Sequence, residues 1–292
     1  MVTHVGRNRV SLMMNLKPDD ISALMREASE RFILPRYKSL KEHEIQSKTG
    51  PTDLVTLADI ETEDFLIEAL TKILPGSVVI GEEGVSNSPE LLDALNLTDK
   101  PIWIVDPVDG TNNFVQGSER FGSMIALVYK GKTCMSWIYS ILTDEMVVSE
   151  QGAGAFSDGL QLSIKASDMP FEEMTGFLGS RYFPKKQQAE IEEAREKFNN
   201  TENAGCAAYE YLQVAKGLKN FAIYRRLKPW DHVPGTLMVL EAGGFVRKWD
   251  GCDLEPLPDQ TGILVADGQH AWELSYNNLL KDALKLPNSP FA

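Results

Sequence analysis

The stretch IWIVDPVDGTNNF, residues 102–114, runs from four apolar residues into two acids three positions apart. Ile102 to Val105 read as a short buried strand. Its end carries Asp106 and Asp109, with Pro107 between them and Gly110-Thr111 behind. A strand end followed by a tight turn places both carboxylates at one edge of a sheet. Proline stiffens such a turn, and glycine permits backbone angles that other residues avoid. The N–H groups that open the next segment can point at an anion, as at a helix N-terminus. Two carboxylates a few ångströms apart repel by about 1 kcal/mol in bulk water and by about 4 kcal/mol at an effective dielectric of 20. A cation between them removes that cost. Hard oxygen ligands with neither Cys nor His nearby favour Mg²⁺ over zinc. By itself the stretch reads equally well as a turn that favours Asp and Gly.

Other acids stand at comparable places. GEEG puts Glu82 and Glu83 at the end of the preceding apolar run, SVVI. KPWDHVPG puts Asp231 ahead of a helix, where it is expected as the N-cap, with Pro234 in the first turn. Asp59 opens a second helix, in the N3 position of a capping box that starts at Thr56. Taken singly, Asp59 and Asp231 are explained by capping, and Glu82 and Glu83 by a solvated loop. All of these explanations holding together is harder to accept than one acidic site.

The rest of the chain frames that site. It has 292 residues, 43% of them hydrophobic and 24% charged, enough for a sizeable core in one large domain or two lobes. The net charge of −13 disfavours nucleic acid polymers and anionic membrane surfaces as partners. Three scattered cysteines form no CxxC pair, so neither a zinc knuckle nor a disulfide scaffold is indicated, and a reducing cytoplasm fits best. The N-terminal VSLMMNL run makes a poor signal peptide, and no run reaches the roughly 18 apolar residues of a membrane span. Residues 1–16 read as an extension of low order. Residues 17–160 read as an N-terminal lobe and 161–292 as a C-terminal lobe, with a cleft between them. The first lobe has helices near 18–34 and 59–74, then an antiparallel meander from Ser123 to Gly159. The second mixes helices and strands, with DHVPGTLMVLEAGG as a helix stopped by Gly243-Gly244.

Three segments, GEEG, WIVDPVDGTNNF and WDHVPG…EAGG, together with KTGPTDLVTLAD upstream, resemble the inositol monophosphatase family of Mg²⁺-dependent, lithium-sensitive phosphatases. The resemblance runs from about the first helix to the C-terminus. It implies an α/β layered (α+β) fold, an αβαβα sandwich with a mixed or antiparallel N-terminal sheet and a smaller C-terminal sheet. Carried over by residue, it makes Glu82, Asp106, Asp109 and the Val108 carbonyl ligands of Mg²⁺, and Asp231 a ligand of a second ion. Asp59 matches an acid associated with a third ion and with activating water. Thr111 matches the threonine that orients this water, the Gly110 and Thr111 amides would cradle the phosphate, and Lys48 would support the loop that completes the site. Two or three Mg²⁺ ions are implied, with hydrolysis of a small phosphorylated metabolite by metal-activated water, in a cytoplasmic homodimer.

The resemblance implies less about what the phosphate is attached to. Family substrates include inositol monophosphates, fructose 1,6-bisphosphate, histidinol phosphate and 3′-phosphoadenosine 5′-phosphate. Inositol-type members carry a glutamate seven residues before the WD aspartate, and here that position is Tyr224, followed by Arg225 and Arg226. An aromatic with adjacent cations points to a base or a second phosphate, where surface arginines are the plain alternative. Cys206-Ala207 stands where the family has Thr/Ser-Ala and contacts substrate by backbone. Arg181 reads as a surface residue or a second-phosphate contact, and His232 as a substrate contact or an exposed helix-start residue. Two other classes compete: a binding or regulatory protein that keeps the fold without turnover, and a structural Ca²⁺ domain.

Overall fold

The computed structural model describes residues 16–50, 53–97, 99–196, 201–258 and 260–291. The extension expected over residues 1–16 lies outside these, except Leu16, which is buried in the core.

Helix α1 (Pro18–Ala28) starts with proline in its first turn, where a missing N–H breaks no intrahelical bond. It buries Ile21, Leu24, Met25 and Ala28, the face its spacing predicts. Strands β1 (Ile45–Gly50) and β2 (Asp53–Thr56) pair antiparallel and lead into α2 (Leu57–Ile73). The predicted capping box is present: the Ala58 N–H donates to the Thr56 hydroxyl, and the Thr56 N–H donates to the Asp59 carboxylate.

Seven strands then form the first sheet in sequential order. They are β3 (Val78–Gly81), β4 (Ile102–Asp109), β5 (Gly122–Tyr129), β6 (Lys132–Ser140), β7 (Glu145–Glu150), β8 (Gly154–Ser157) and β9 (Leu160–Gln161). β3 runs parallel to β4, and every later pair is antiparallel, as the turn signals predict. Short helices α3 (Glu82–Asn87) and α4 (Thr111–Val115) follow β3 and β4. β4 is buried along its whole length, so it is covered on both faces and shows no polar alternation.

The second sheet has five strands in the order β11-β10-β12-β14-β13. These are β10 (Gly176–Leu178), β11 (Thr201–Glu202), β12 (Phe221–Leu227), β13 (Phe245–Lys248) and β14 (Gln260–Ala266). Helices α5 (Lys185–Glu196), α6 (Ala207–Ala215), α7 (Pro229–Glu241), α8 (Gln269–Ser275) and α9 (Lys281–Leu284) complete the fold. One apolar core joins Met124 and Ile138 of the first sheet, Tyr211 of α6 and Met238 of α7, and Ala222 and Val265 of the second sheet. Helices α6 and α7 therefore lie between the sheets. A second core packs α1 and α2 on Trp103 and Trp137, and a third packs α5 and α8 on Phe221 and Leu264. The layers are α, β, α, β, α, the sandwich the resemblance implied.

The start of α7 differs from the expectation. Lys228 is its N-cap and Pro229 its first residue, so Asp231 lies inside the first turn and is not the cap. Pro229 takes the first position because its fixed φ suits a helix start. Pro234 then falls in the interior, where it withholds a donor from the Trp230 carbonyl. Gly235, one residue on, lets α7 lie against α6: a Cβ there would sit 2.2 Å from the Tyr211 ring.

Candidate active site

Acids three apart on a regular strand point to opposite faces. β4 avoids this with a bulge. Asp106 pairs with Met124 and Asp109 with Gly122, so three steps on β4 match two on β5. The extra residue restores the parity and turns both carboxylates toward the helices between the sheets. Pro107, which has no N–H for the ladder, sits inside this irregularity. Gly110 follows with φ +82°, and a side chain there would also meet the Arg120 carbonyl and Cys206 at 3.0 Å.

Three of the sequence-predicted ligands converge. Carboxylate oxygens of Glu82, at the start of α3, of Asp106 on β4 and of Asp231 on α7 all lie within 4.8 Å of one another. Asp106 is buried, and its Oδ1 has no hydrogen-bond partner. Burial, then the charges of Glu82, Asp109 and Asp231, pushes the Asp106 carboxyl well above the usual range. Burial and the charges of Glu82 and Asp109 do the same to Asp231. Crowded, desolvated, hard oxygen donors with an orphaned lone pair fit a hard divalent cation.

Asp109 lies beside this group and is engaged elsewhere. Its Oδ2 accepts from the Ala208 N–H and lies 3.0 Å from Cys206 Sγ. Cys206 is itself the N-cap of α6, with its sulfur accepting from the Tyr209 N–H. The sulfur thus does the capping work usual for a Ser or Thr hydroxyl, and α6 is docked onto the end of β4. Burial raises the Asp109 carboxyl, and these donors hold it down in part.

Asp59 and Thr111 are brought together. Asp59 Oδ2 accepts from the Thr56 N–H and hydroxyl at 2.7 and 2.6 Å, and its Oδ1 is 3.0 Å from Thr111 Oγ1. The Thr111 hydroxyl is equally 3.0 Å from the Val108 carbonyl. Desolvation pushes Asp59 up to about 6 despite these bonds. Lys48 of β1 donates to Glu82 at 2.9 Å and to Glu83 at 2.7 Å, and their charges raise its pKa although burial lowers it.

The sequence reading missed Glu63. One helical turn after Asp59 on α2, it accepts from the Glu83 and Gly84 N–H groups at 2.9 and 2.6 Å and so anchors the start of α3. Burial pushes it up to about 7. The i, i+4 spacing from Asp59 was its visible signal. Glu210 was missed as well. It is buried on α6, accepts from the Ala204 N–H at 2.9 Å and interacts with the Tyr224 phenol, and burial raises it to about 7.

The substrate end of the cleft revises three expectations. The Tyr224 ring stacks on Tyr211 at 5.2 Å and lies 4.6 Å from His232, so its faces are used within the protein. His232 is buried, not exposed: Nε2 is 2.9 Å from the Arg226 carbonyl and Nδ1 is 3.2 Å from the Tyr211 hydroxyl. Burial drives its pKa down to about 3, so it is a neutral tie between α7, β12 and α6. The Arg225 guanidinium turns toward the opposite face of β12, over Phe183 and Trp249. The more exposed aromatic of the cleft is Tyr182, half exposed, with the Arg181 and Arg226 guanidiniums 5.3 and 5.4 Å from its ring centre. The cleft itself has a volume of about 1120 Å³, and Glu82, Asp106, Thr111, Asp231, Tyr224 and Arg226 all line it.

The profile of the inositol monophosphatase family matches residues 21–284. The chain belongs to the inositol monophosphatase family. Inositol-1-monophosphatase of Bacillus subtilis is 30% identical over 230 residues, covering 78% of this chain and 83% of the relative. Fructose-1,6-bisphosphatase/inositol-1-monophosphatase of Thermotoga maritima is 30% identical over 208 residues, covering 71% and 76%. The solved structure of inositol monophosphatase-II from Staphylococcus aureus superposes with a TM-score of 0.74 at 26% identity, over 91% of this chain and 94% of that one. Family and fold together make the protein a phosphoric monoester hydrolase. Among the described residues no helix is long and apolar enough to cross a membrane.

Proposed function

We propose that this family member hydrolyses a small phosphomonoester with Mg²⁺ held by Glu82, Asp106 and Asp231, and with Asp109 and the Val108 carbonyl beside them. The observation that carries this reading is the convergence of three carboxylates at the floor of the cleft, with a buried oxygen of Asp106 left without a partner. Two or three Mg²⁺ ions would lower the pKa of an attacking water, reverse the local negative field and neutralise the leaving alkoxide.

The chain's own groups do the positioning. The Thr111 hydroxyl donates toward Asp59 and the Val108 carbonyl, which leaves its oxygen to accept from the attacking water and orient it, and Glu82 would take that water's proton. The Gly110 and Thr111 amides, at the turn into α4, would cradle the phosphate. Lys48 keeps Glu82 and Glu83 together at the rim. Asp109, docked on α6, fixes the distance between β4 and the Cys206-Ala207 wall. All three cysteines are free, and two are buried, in keeping with a reducing cytoplasm. A homodimer is the matching expectation for assembly and is checked by light scattering.

An inositol-like polyol is not the best substrate in this reading, since Tyr224, its ring packed against Tyr211, stands seven residues before Asp231, where the resemblance implies a sugar-contacting glutamate in inositol-type members. The test is phosphate release with Mg²⁺ from a panel of inositol phosphates, fructose 1,6-bisphosphate, histidinol phosphate and 3′-phosphoadenosine 5′-phosphate, compared by kcat/KM. An inositol phosphate at the head of the panel contradicts the role given to Tyr224. No release from any member contradicts the phosphatase reading and favours a protein that binds without turnover.

A further inference from the structure

Glu82 leaves β3 in the first turn of α3, a helix of six residues. The N-cap of α3 is Gly81, which has no side chain to accept from the opening N–H groups. Glu63 of α2 takes over that task with both of its oxygens. Oε2 accepts from the Glu83 N–H at 2.9 Å, and Oε1 accepts from the Gly84 N–H at 2.6 Å.

This contact accounts for the two glycines that flank the acids in GEEG. A Cβ on Gly81 would lie 2.1 Å from Glu63 Cδ, and one on Gly84 would lie 3.2 Å from its Oε1. The missing side chains let the carboxylate press against the backbone on either side of Glu82 and Glu83. Glu63 is only 3% exposed, so water does not compete for its two bonds.

The helix behind Glu63 is itself fixed. Leu66 and Leu70 of α2 share a core with Trp103 and Val105 of β4, the strand that carries Asp106. One turn before Glu63, on the same buried face, Asp59 holds Thr111. Residues four apart in a helix are separated by about 6 Å along its axis. One rigid helix therefore sets two walls of the site, Thr111 through Asp59 and the Glu82 backbone through Glu63. Lys48 fastens the Glu82 side chain, but from the separate β1–β2 hairpin.

Resting on the metal reading above, we propose that Glu63 is a positioning residue. By capturing the Glu83 and Gly84 N–H groups it holds Glu82 in register with Asp106 and Thr111, and so sets the affinity of the site for Mg²⁺. Both its oxygens are engaged by backbone, so it acts through Glu82. Groups that orient a ligand from behind change metal affinity by about 10- to 100-fold.

The experiment measures Mn²⁺ binding, which uses the same oxygen donors as Mg²⁺, to the metal-free full chain by calorimetry and by the paramagnetic resonance of free Mn²⁺. It compares wild type with Glu63→Gln and Glu63→Asp. Gln keeps the length but turns an NH₂ group toward an N–H donor. Asp keeps the charge but is one methylene short of reaching both N–H groups. The Kd of the tightest site should rise about tenfold or more in both. The Asp variant decides, because it loses only the reach. Weakening in Gln alone marks a through-space effect of charge, and it overturns the positioning role. Thermal melts in chelator separate fold from site: a lower Tm with an unchanged Kd in both variants marks a cap that serves the fold alone, and it overturns the role too. If a metal-free variant is unfolded, the Mg²⁺ concentration for half-maximal phosphate release is read on protein folded in Mg²⁺. The same shift is then expected, and an unchanged concentration overturns the role. Wild type that binds no divalent cation sinks the metal reading, and the role of Glu63 with it. Wild type that binds while both variants bind equally well sinks the role of Glu63 alone.

Discussion

The Thr111 hydroxyl lies 3.0 Å from Asp59 Oδ1, and this contact joins the start of α2 to the start of α4. The Asp59 oxygen opposite is fully occupied by Thr56, so Asp59 has no freedom to turn away. Thr111→Ala removes the hydroxyl and should lower kcat by about 10²-fold, with KM changed far less. Thr111→Ser keeps the hydroxyl and should recover most of the rate. A Thr111→Ala enzyme with wild-type kcat would remove Thr111 from the account.

Gly235 is a packing residue that sits in a catalytic motif. Its Cα faces the Tyr211 ring so closely that any Cβ collides with it. Tyr211 is fully buried and stacks on Tyr224, so it cannot swing aside without disturbing the cleft wall. Gly235→Ala should cost about 2–3 kcal/mol in urea denaturation, the scale of overpacking in a tight core. A cost under about 0.5 kcal/mol would mean that the two helices separate freely.

Glu210 gives a pH signature. Burial raises its folded-state pKa from the usual 4.5 to about 7. An acid with a raised folded pKa binds its proton more tightly in the native state, so its contribution to stability is full below about pH 4.5 and declines as pH rises to about 7. Glu210→Gln removes that titration. The variant should be more stable than wild type at pH 8, by about 1–3 kcal/mol, and the difference should shrink toward pH 5. Thermal melts in Mg²⁺ across that range provide the check. A difference independent of pH contradicts the burial argument.

Lys48 neutralises a pair of acids that would otherwise face each other at the rim. Its side chain and that of Glu83 are largely buried. Burial and the Glu82 charge raise Glu83 to about 8, and the Lys48 charge opposes this. Lys48→Met should destabilise the metal-free protein by about 2 kcal/mol, since it leaves a carboxylate pair without its partner. Denaturation in chelator reads this directly, and an unchanged midpoint would show that the ammonium contributes nothing.

Local signals were legible in the sequence. The apolar run of β4, the Thr56–Asp59 capping box, the meander and the acids at strand ends each follow from neighbours within a few residues. What was not legible depends on distant partners. Asp109 is tied to amides about a hundred residues away, and nothing near it in the chain announces α6. The exposure expected for His232 failed because Pro229 starts α7 early and rolls His232 under Tyr211 and the Arg226 carbonyl. Glu63 and Glu210 looked like ordinary helix-surface acids until the backbone N–H groups they cap were in place. The bulge that turns Asp106 and Asp109 to one side was implied only by a proline between two acids.

The central claim is that Glu82, Asp106 and Asp231 hold the Mg²⁺ that makes this cleft hydrolytic. It is tested by phosphate release from a generic phosphomonoester, before and after chelation, in wild type, Asp106→Asn and Asp231→Asn. The account predicts that wild-type release stops in chelator and returns with Mg²⁺, and that both variants lose about 10³-fold or more at any Mg²⁺ concentration while remaining folded. Release that survives chelation, or an Asp106→Asn or Asp231→Asn enzyme that keeps the wild-type rate, would contradict it.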